Sequence, residues 1–138
     1  MSATTLLLLA MVGMAFDLGR IYIARNETQV FTDAAALTAA TKLDGTGMGL
    51  ERARDAVAHI PMRWNLGTQP FTGVIVEFSA DGRNWDRDPR DASAINMARV
   101  SAPNNAVDIV FLRAVGGPKS LTVPARSVAS TRPVRLVQ

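Results

Sequence analysis

The 138-residue sequence contains no cysteine and a single histidine, His59. The absence of cysteine excludes disulfides, thiolate-ligated metals and cysteine nucleophiles. A single histidine excludes two-histidine metal motifs and disfavours a histidine-based catalytic triad. We also find no phosphate-binding loop and no activated nucleophile. The composition therefore predicts a protein without enzymatic activity and without a cofactor.

Aromatic residues are scarce, at 6%, and the 15 basic residues are scattered among 12 acidic ones. Nucleic acid binding requires a clustered basic surface, usually with interleaved aromatic side chains. The net charge is only +3. The charged residues are therefore interpreted as a mixed, solvated surface, and nucleic acid is not an expected partner.

One long uncharged run is present, Ala3–Phe16. Fourteen helical residues span only ~21 Å, against a hydrocarbon thickness of ~30 Å. Extension to Ala24 makes the segment long enough to cross a bilayer, but it then encloses Asp17 and Arg20. These two residues are three positions apart on a helix, so they can pair.

The apolar run has no basic residue before it, whereas secretory signals and the positive-inside bias both favour one. Either a basic leader has been removed before Met1, or the C-terminal part stays inside the cell. We favour the removed leader.

The helical pattern continues well beyond Ala24. Apolar residues recur every seven positions, and no proline occurs before Pro61. The recurring residues are Leu9, Phe16, Ile23, Val30 and Leu37. We therefore predict one helix of about 40 residues, ~60 Å long, ending near the glycines that follow Asp44. The remaining ~90 residues are too few to cover its N-terminal half, so lipid or other copies of the helix must do so.

The second part of the chain predicts a short helix and a small antiparallel meander. The helix is assigned to Leu50–His59. The strands are assigned to Thr72–Ser79, Ala94–Ser101, Val107–Val115 and Leu121–Ala129, with a further short strand in the tail Thr131–Gln138. Val107–Val115 is apolar on both faces and is predicted to be central. The fold class is α+β, with an assembly helix at 1–44 and a β-rich head at 45–138.

A long N-terminal helix with a small β domain resembles the lollipop shape of type IV pilin-like proteins. More specifically, the segment resembles the N-terminal signature of the TadE/TadG-like (tight-adherence, Flp pilus) family, which runs D-x-G-R-x-Y and then A-D-A-A-A-L. The matching positions are Asp17, Gly19, Arg20, Tyr22 and Asp33 to Leu37.

The resemblance implies a non-enzymatic subunit of an extracellular pilus filament that polymerises through its N-terminal helix, with the head outside. Its implied partners are copies of itself, the inner membrane before assembly, and the pilus assembly machinery. The alternative is a membrane-anchored accessory or minor pilin that does not itself form the filament. A more distant alternative is an adhesive or carbohydrate-binding domain on a stalk.

Two groups of residues are candidates for assembly. Asp17 and Arg20 are predicted to set the register between subunits or to pair within one helix, because a buried pair adds specificity more than stability. The predicted packing core of the helix bundle comprises Leu6, Leu7, Leu8, Leu9, Val12, Gly13, Phe16, Gly19, Ile23, Val30 and Leu37.

A metal site is expected nowhere in the chain, with one weak exception. Asp81, Asp86, Asp88 and Asp91 crowd a single loop and offer the oxygen ligands that calcium prefers. Their spacing is not that of an EF-hand, and three arginines are interleaved with them. A solvated, salt-bridged loop is the favoured interpretation.

Overall fold

A computed structural model describes residues 2–131 of the chain. The first helix, α1, spans Ala3–Thr41, 39 residues, because the sequence offers no proline and is rich in helix-forming residues. Lys42 is its C-terminal cap residue. The chain then turns at Gly45, which has a positive φ of 80°. The prediction of a long N-terminal helix is confirmed.

The second helix, α2, spans Gly47–Ala58. The hydroxyl of Thr46 caps it by accepting the N–H of Gly49 at 3.1 Å, as expected of a threonine at this position. Leu50, Ala53 and Val57 are buried and share one apolar core with α1.

After α2, the described part of the head contains seven short strands, arranged in three antiparallel sheets, and one helical turn. The main sheet has the order β3-β4-β7, and the pairs β1-β2 and β5-β6 form two small ribbons. The elements are β1 Arg63–Trp64, β2 Gln69–Pro70, β3 Ile75–Ser79, β4 Met97–Ala102, β5 Ala106–Asp108, α3 Phe111–Ala114, β6 Ser120–Thr122 and β7 Ala125–Ser130.

The prediction of one four-stranded meander centred on Val107–Val115 is wrong. The strand stops at Asp108, the chain then forms α3, and β4 occupies the centre of the main sheet. The N–H groups of residues 110–112 bind a carboxylate on α1 instead of a neighbouring strand, which removes the ladder that a strand would need.

The predicted strand Leu121–Ala129 is divided in two at Pro124. Residues before the proline pair with β5, and residues after it pair with β4, because proline has no N–H for a continuous ladder. β1 and β2 are joined by a tight turn in which Asn65, Leu66 and Gly67 are all at positive φ. Apart from Thr131, the short strand predicted for the tail lies outside the described residues.

The core lies between the C-terminal half of α1, α2 and the main sheet. The buried face of α1 consists largely of small residues, including Ala35, Ala36 and Ala39, which pack with Phe78 and Val100 of the sheet. Small side chains let the sheet approach the helix closely. A second cluster, nearer the middle of α1, joins Ala24, Trp64, Val107 and Val123.

Candidate assembly and membrane surface of the N-terminal helix

A row of exposed apolar side chains at seven-residue spacing runs along α1, and one of them, Phe16, also meets the ring of Phe111 in the head. The members of this row, hereafter the heptad stripe, are 41–61% exposed: Leu9, Phe16, Ile23, Val30 and Leu37. Seven residues fall only ~20° short of two helical turns, so successive members lie nearly in line and the row winds slowly around the helix. The large apolar side chains predicted to pack between helices are thus mostly exposed in the single chain, whereas Gly13 is buried.

The N-terminal end of α1 is exposed on nearly all sides. Leu6, Leu7, Leu8, Leu9 and Val12 are each at least 60% exposed. Among the described residues there is one helix that is long and apolar enough, by length and composition, to cross a membrane, and it is α1. Burial of large apolar side chains contributes ~1.5–3 kcal/mol each, so this end has a strong tendency to enter lipid or a protein interface.

Asp17 lies at the junction between this apolar end and the head, and its side chain is 1% exposed. Its carboxylate oxygens accept backbone N–H groups from Val110 at 3.0 Å, Phe111 at 2.8 Å and Leu112 at 2.7 Å. Hydrogen bonds to an ionised acceptor are stronger than neutral ones. Asp17 therefore ties the loop around α3 to the helix.

Arg20, one turn further on, also contacts the head. Its guanidinium donates to the carbonyl oxygen of Asp108 at 3.2 Å and to Asn65 Oδ1 at 3.4 Å. Within residues 2–131, no ion pair shorter than 4.0 Å joins Asp17 to Arg20. Both side chains are engaged by their own head, and a role in setting register between subunits stays a prediction.

The two glycines in the predicted packing core have different environments. Gly13 is buried beneath Phe111, and a Cβ placed there would lie 2.7 Å from the phenyl ring. Gly19 has nothing within 4 Å of that position. Gly13 is thus used for close packing within the chain, whereas Gly19 remains available to a neighbour.

The loop around α3 is the part of this site that the sequence did not reveal. Its apolar residues were interpreted as a buried strand, although Gly116, Gly117 and Pro118 mark a turn immediately after them. An unpaired acid within an apolar helix signals that a donor must lie nearby. Nothing in the sequence indicates that the donors come from more than 90 residues away.

The four aspartates of the candidate calcium loop do not form a common site. Asp81 accepts N–H groups from Asn84 and Arg83 at 2.9 and 2.8 Å, and these bonds hold the pKa of its carboxyl well below the usual range. Asp88 pairs with Arg54, while Asp86 and Asp91 cap turns of their own loop. In the described part of the chain, no three acidic or histidine side chains converge as metal ligands would.

A cleft of about 570 Å³ lies between the helices and the segment that leads into β3. Its lining is mostly apolar and includes Phe31, Met62 and Phe71, with Arg54 and Arg87 at its polar part. Arg54 is already bound to Glu51 and Asp88. Among the residues that the structure describes, the lining contains no carboxylate, histidine or hydroxyl side chain.

Taken together, the long apolar helix and the small β head define a pilin-like architecture with a candidate membrane anchor. Residues 1–42 match the family model described as putative Flp pilus-assembly TadE/G-like, which confirms the resemblance based on Asp17, Gly19 and Arg20. The N-terminal segment is therefore similar to the TadE/G-like family over residues 1–42, and the head lies outside the matched range. No curated protein and no solved structure matches the chain significantly.

Proposed function

We propose that this protein is a structural subunit of an extracellular Tad-like pilus filament, in which α1 forms the core and the head forms the outer surface. The observation that carries the proposal is the heptad stripe, an apolar row along the whole length of α1 that the head leaves exposed. The TadE/G-like match over residues 1–42 supports a role in pilus biology.

Lipid alone is a poor cover for the heptad stripe. From Leu9 to Leu37 the stripe extends over 28 residues, ~42 Å along the helix, whereas the hydrocarbon core of a bilayer is ~30 Å thick. Charged residues Arg20, Arg25 and Glu27 also interrupt the middle of the helix. On this proposal, the two most C-terminal residues of the heptad stripe, Val30 and Leu37, are therefore covered by a protein partner.

A second copy of α1 is the partner that the spacing favours. A seven-residue repeat keeps an apolar seam facing a neighbouring helix in left-handed packing. Identical copies supply identical stripes, and the open position at Gly19 permits close approach of a neighbour. On this proposal Asp17 and Arg20, held at fixed places by the head, mark the axial register.

Before assembly, the subunit would be held in the inner membrane by the apolar end of α1, and the pilus assembly machinery would extract it. We retain the division into an assembly helix at 1–44 and a head at 45–138 as a functional one. The two parts share one hydrophobic core, so they fold together. The proposed role is structural, without catalysis.

One observation favours the alternative, a membrane-anchored accessory or minor pilin. Asp17 and Gly13 have their partners within the same chain, so a single anchored copy needs no neighbour to satisfy the buried carboxylate. In that case the heptad stripe would contact a different helix of the assembly machine.

Electron microscopy of material sheared from the cell surface, with mass spectrometry of its N-terminus, tests the two functions. Filaments made of this chain support the filament subunit. Retention in the membrane fraction, with no filament that contains the chain, supports the accessory role.

A paired substitution tests the stripe itself. Leu37→Ser should abolish filaments, because it places a hydroxyl in the proposed helix interface. Val128→Ser, at an exposed position on β7, should leave them intact. Filaments of normal yield from the Leu37→Ser protein would reject the heptad stripe as the assembly surface.

A further inference from the structure

We propose that the segment 109–117, hereafter the Phe111 loop, is a second membrane contact that inserts its apolar side chains into the interface of the bilayer entered by α1. This inference rests on the membrane-inserted state in the proposed function. It adds that the head itself binds lipid at one defined edge.

The first argument is the position of the loop along α1. Phe111 packs over Gly13 and meets the ring of Phe16 edge-on, with 5.5 Å between centroids. The adjacent N–H groups bind Asp17. The loop therefore lies beside the last uncharged turn of α1, at the level where the helix would leave the hydrocarbon.

The second argument is the exposure of the loop's side chains. Val110 is 49% exposed, Phe111 46% and Val115 70%, and Phe111 adjoins the exposed ring of Phe16 on the helix. Isolated exposed apolar residues are common on protein surfaces. Three of them in six residues, adjoining a membrane-spanning segment, form an extended patch that water disfavours.

The third argument concerns the loop backbone. Peptide groups enter the membrane only when their hydrogen bonds are satisfied within the protein. Residues 110–112 donate to Asp17, Ile109 donates to the carbonyl of Lys119, and residues 115–117 donate to carbonyls within the loop. Asp17 thus satisfies the hydrogen bonds of backbone N–H groups that would otherwise have to remain in contact with water.

The charges around the loop fit a headgroup layer. Arg113, within the loop, and Lys119, two residues after it, are both exposed. Long basic side chains of this kind can reach lipid phosphates while their stems stay in apolar surroundings. Asp108 is the neighbouring acid, and its backbone carbonyl binds Arg20. Phenylalanine is among the apolar side chains that membrane-surface segments bury at the boundary between headgroups and acyl chains.

Lipid is a better occupant than a second protein copy because the surface is continuous with α1. When the bilayer surrounds Val12 and Phe16, whatever lies directly against those residues also meets lipid. The Phe111 loop satisfies that condition through its contacts with Gly13 and Phe16.

Single-cysteine spin labelling of the full chain in vesicles of phosphatidylethanolamine and phosphatidylglycerol tests the proposal. The natural sequence has no cysteine, so Val115→Cys carries one label at an exposed site. Val12→Cys reports insertion of α1, and Val128→Cys, an exposed valine on β7, reports the part of the head far from the membrane. The measurement is collision of each label with oxygen, which concentrates in lipid, and with a water-soluble nickel complex.

We expect the labels at positions 12 and 115 to collide severalfold more with oxygen than with nickel, and the label at 128 to show the reverse. A lipid-like label at 12 with a water-like label at 115 would overturn the Phe111 loop proposal and leave the membrane anchor intact. A label at 115 shielded from both reagents would indicate a protein contact and would also overturn it. A water-like label at 12 would reject membrane insertion itself, and the loop proposal with it.

Discussion

The two ends of α1 are made of the same secondary structure but for different surroundings. In residues 3–16 nearly every large apolar side chain is exposed, whereas residues 24–40 bury a face made of alanine, threonine and Phe31. The most hydrophobic part of the chain is therefore the part that folding buries least. Its apolar side chains contribute little to packing within the folded chain, and small residues, chiefly alanines, form most of the buried face of α1.

A similar contrast separates the two faces of the C-terminal end of α1. The inner face contacts the main sheet through small side chains and a few hydroxyl groups, such as Thr32, which lies 2.8 Å from the hydroxyl of Ser127. The outer face presents Val30 and Leu37 to solvent. One helix thus carries an intramolecular surface and a candidate intermolecular surface on opposite sides.

The largest effect on stability is expected from truncation of the inner face. Phe31 is 3% exposed and stacks on Phe71 with 3.9 Å between ring centroids, so Phe31→Ala should lower the free energy of unfolding by ~3–5 kcal/mol. Denaturant unfolding in mild detergent, followed by tryptophan fluorescence, measures it.

The matched control is Leu37→Ala, on the outer face of the same helix. It should change the free energy of unfolding by no more than about 0.5 kcal/mol. Equal losses from both variants would contradict the assignment of separate inner and outer faces.

A smaller and more local effect is expected from Asp17→Ala. The three N–H groups that lose their acceptor belong to a loop whose side chains are largely exposed, so water can replace the carboxylate. The net loss is therefore expected to be on the order of 1.5–3 kcal/mol, as for one hydrogen bond to a charged group. Amide exchange at residues 110–112 should accelerate by at least about tenfold, while exchange in β4 should stay unchanged. Acceleration throughout the head would instead mean that Asp17 supports the entire fold.

The smallest effects, and effects of opposite sign, are expected at the two glycines. Gly13→Ala should destabilise the contact with Phe111 by roughly 1–3 kcal/mol, since the ring leaves no space for a methyl group. Gly19→Ala meets no neighbour and should stabilise the helix by roughly 0.5–1 kcal/mol. Thermal unfolding of the two variants in the same detergent measures both. Destabilisation by Gly19→Ala in the monomer would show that position 19 is not open.

The long helix was predictable because its signals are local: no proline, frequent helix formers and a seven-residue apolar repeat. The TadE/G-like resemblance was predictable from a short, specific motif that includes Asp17 and Arg20. Which face of α1 packs against the head could not be predicted. Alanines and threonines bury well against a sheet, but they do not produce a strong hydrophobic periodicity in the sequence. The strongest periodic signal, the heptad stripe, marks the outer face instead.

The head was predicted less well, for reasons that lie in long-range contacts. The apolar run at Val107–Val115 has the composition of a buried strand, and only the capture of its N–H groups by Asp17 turns it into a loop. Pro124 signalled an interruption, but whether it bends one strand or divides two depends on which neighbours pair on either side. Such choices are made by tertiary structure and not by local sequence.

Two of the levels at which the head is attached to α1 are Asp17 at the Phe111 loop, and Thr32 and Asp33 at Ser127 of β7. These levels are ~24 Å apart along the helix axis, so the head can neither swing nor rotate about the helix as a free body. Its azimuth relative to the heptad stripe is fixed by the fold of a single chain. Any symmetry adopted by helices packed through that stripe would consequently dictate where the heads emerge, and the surface lattice of such an assembly is already encoded in the monomer.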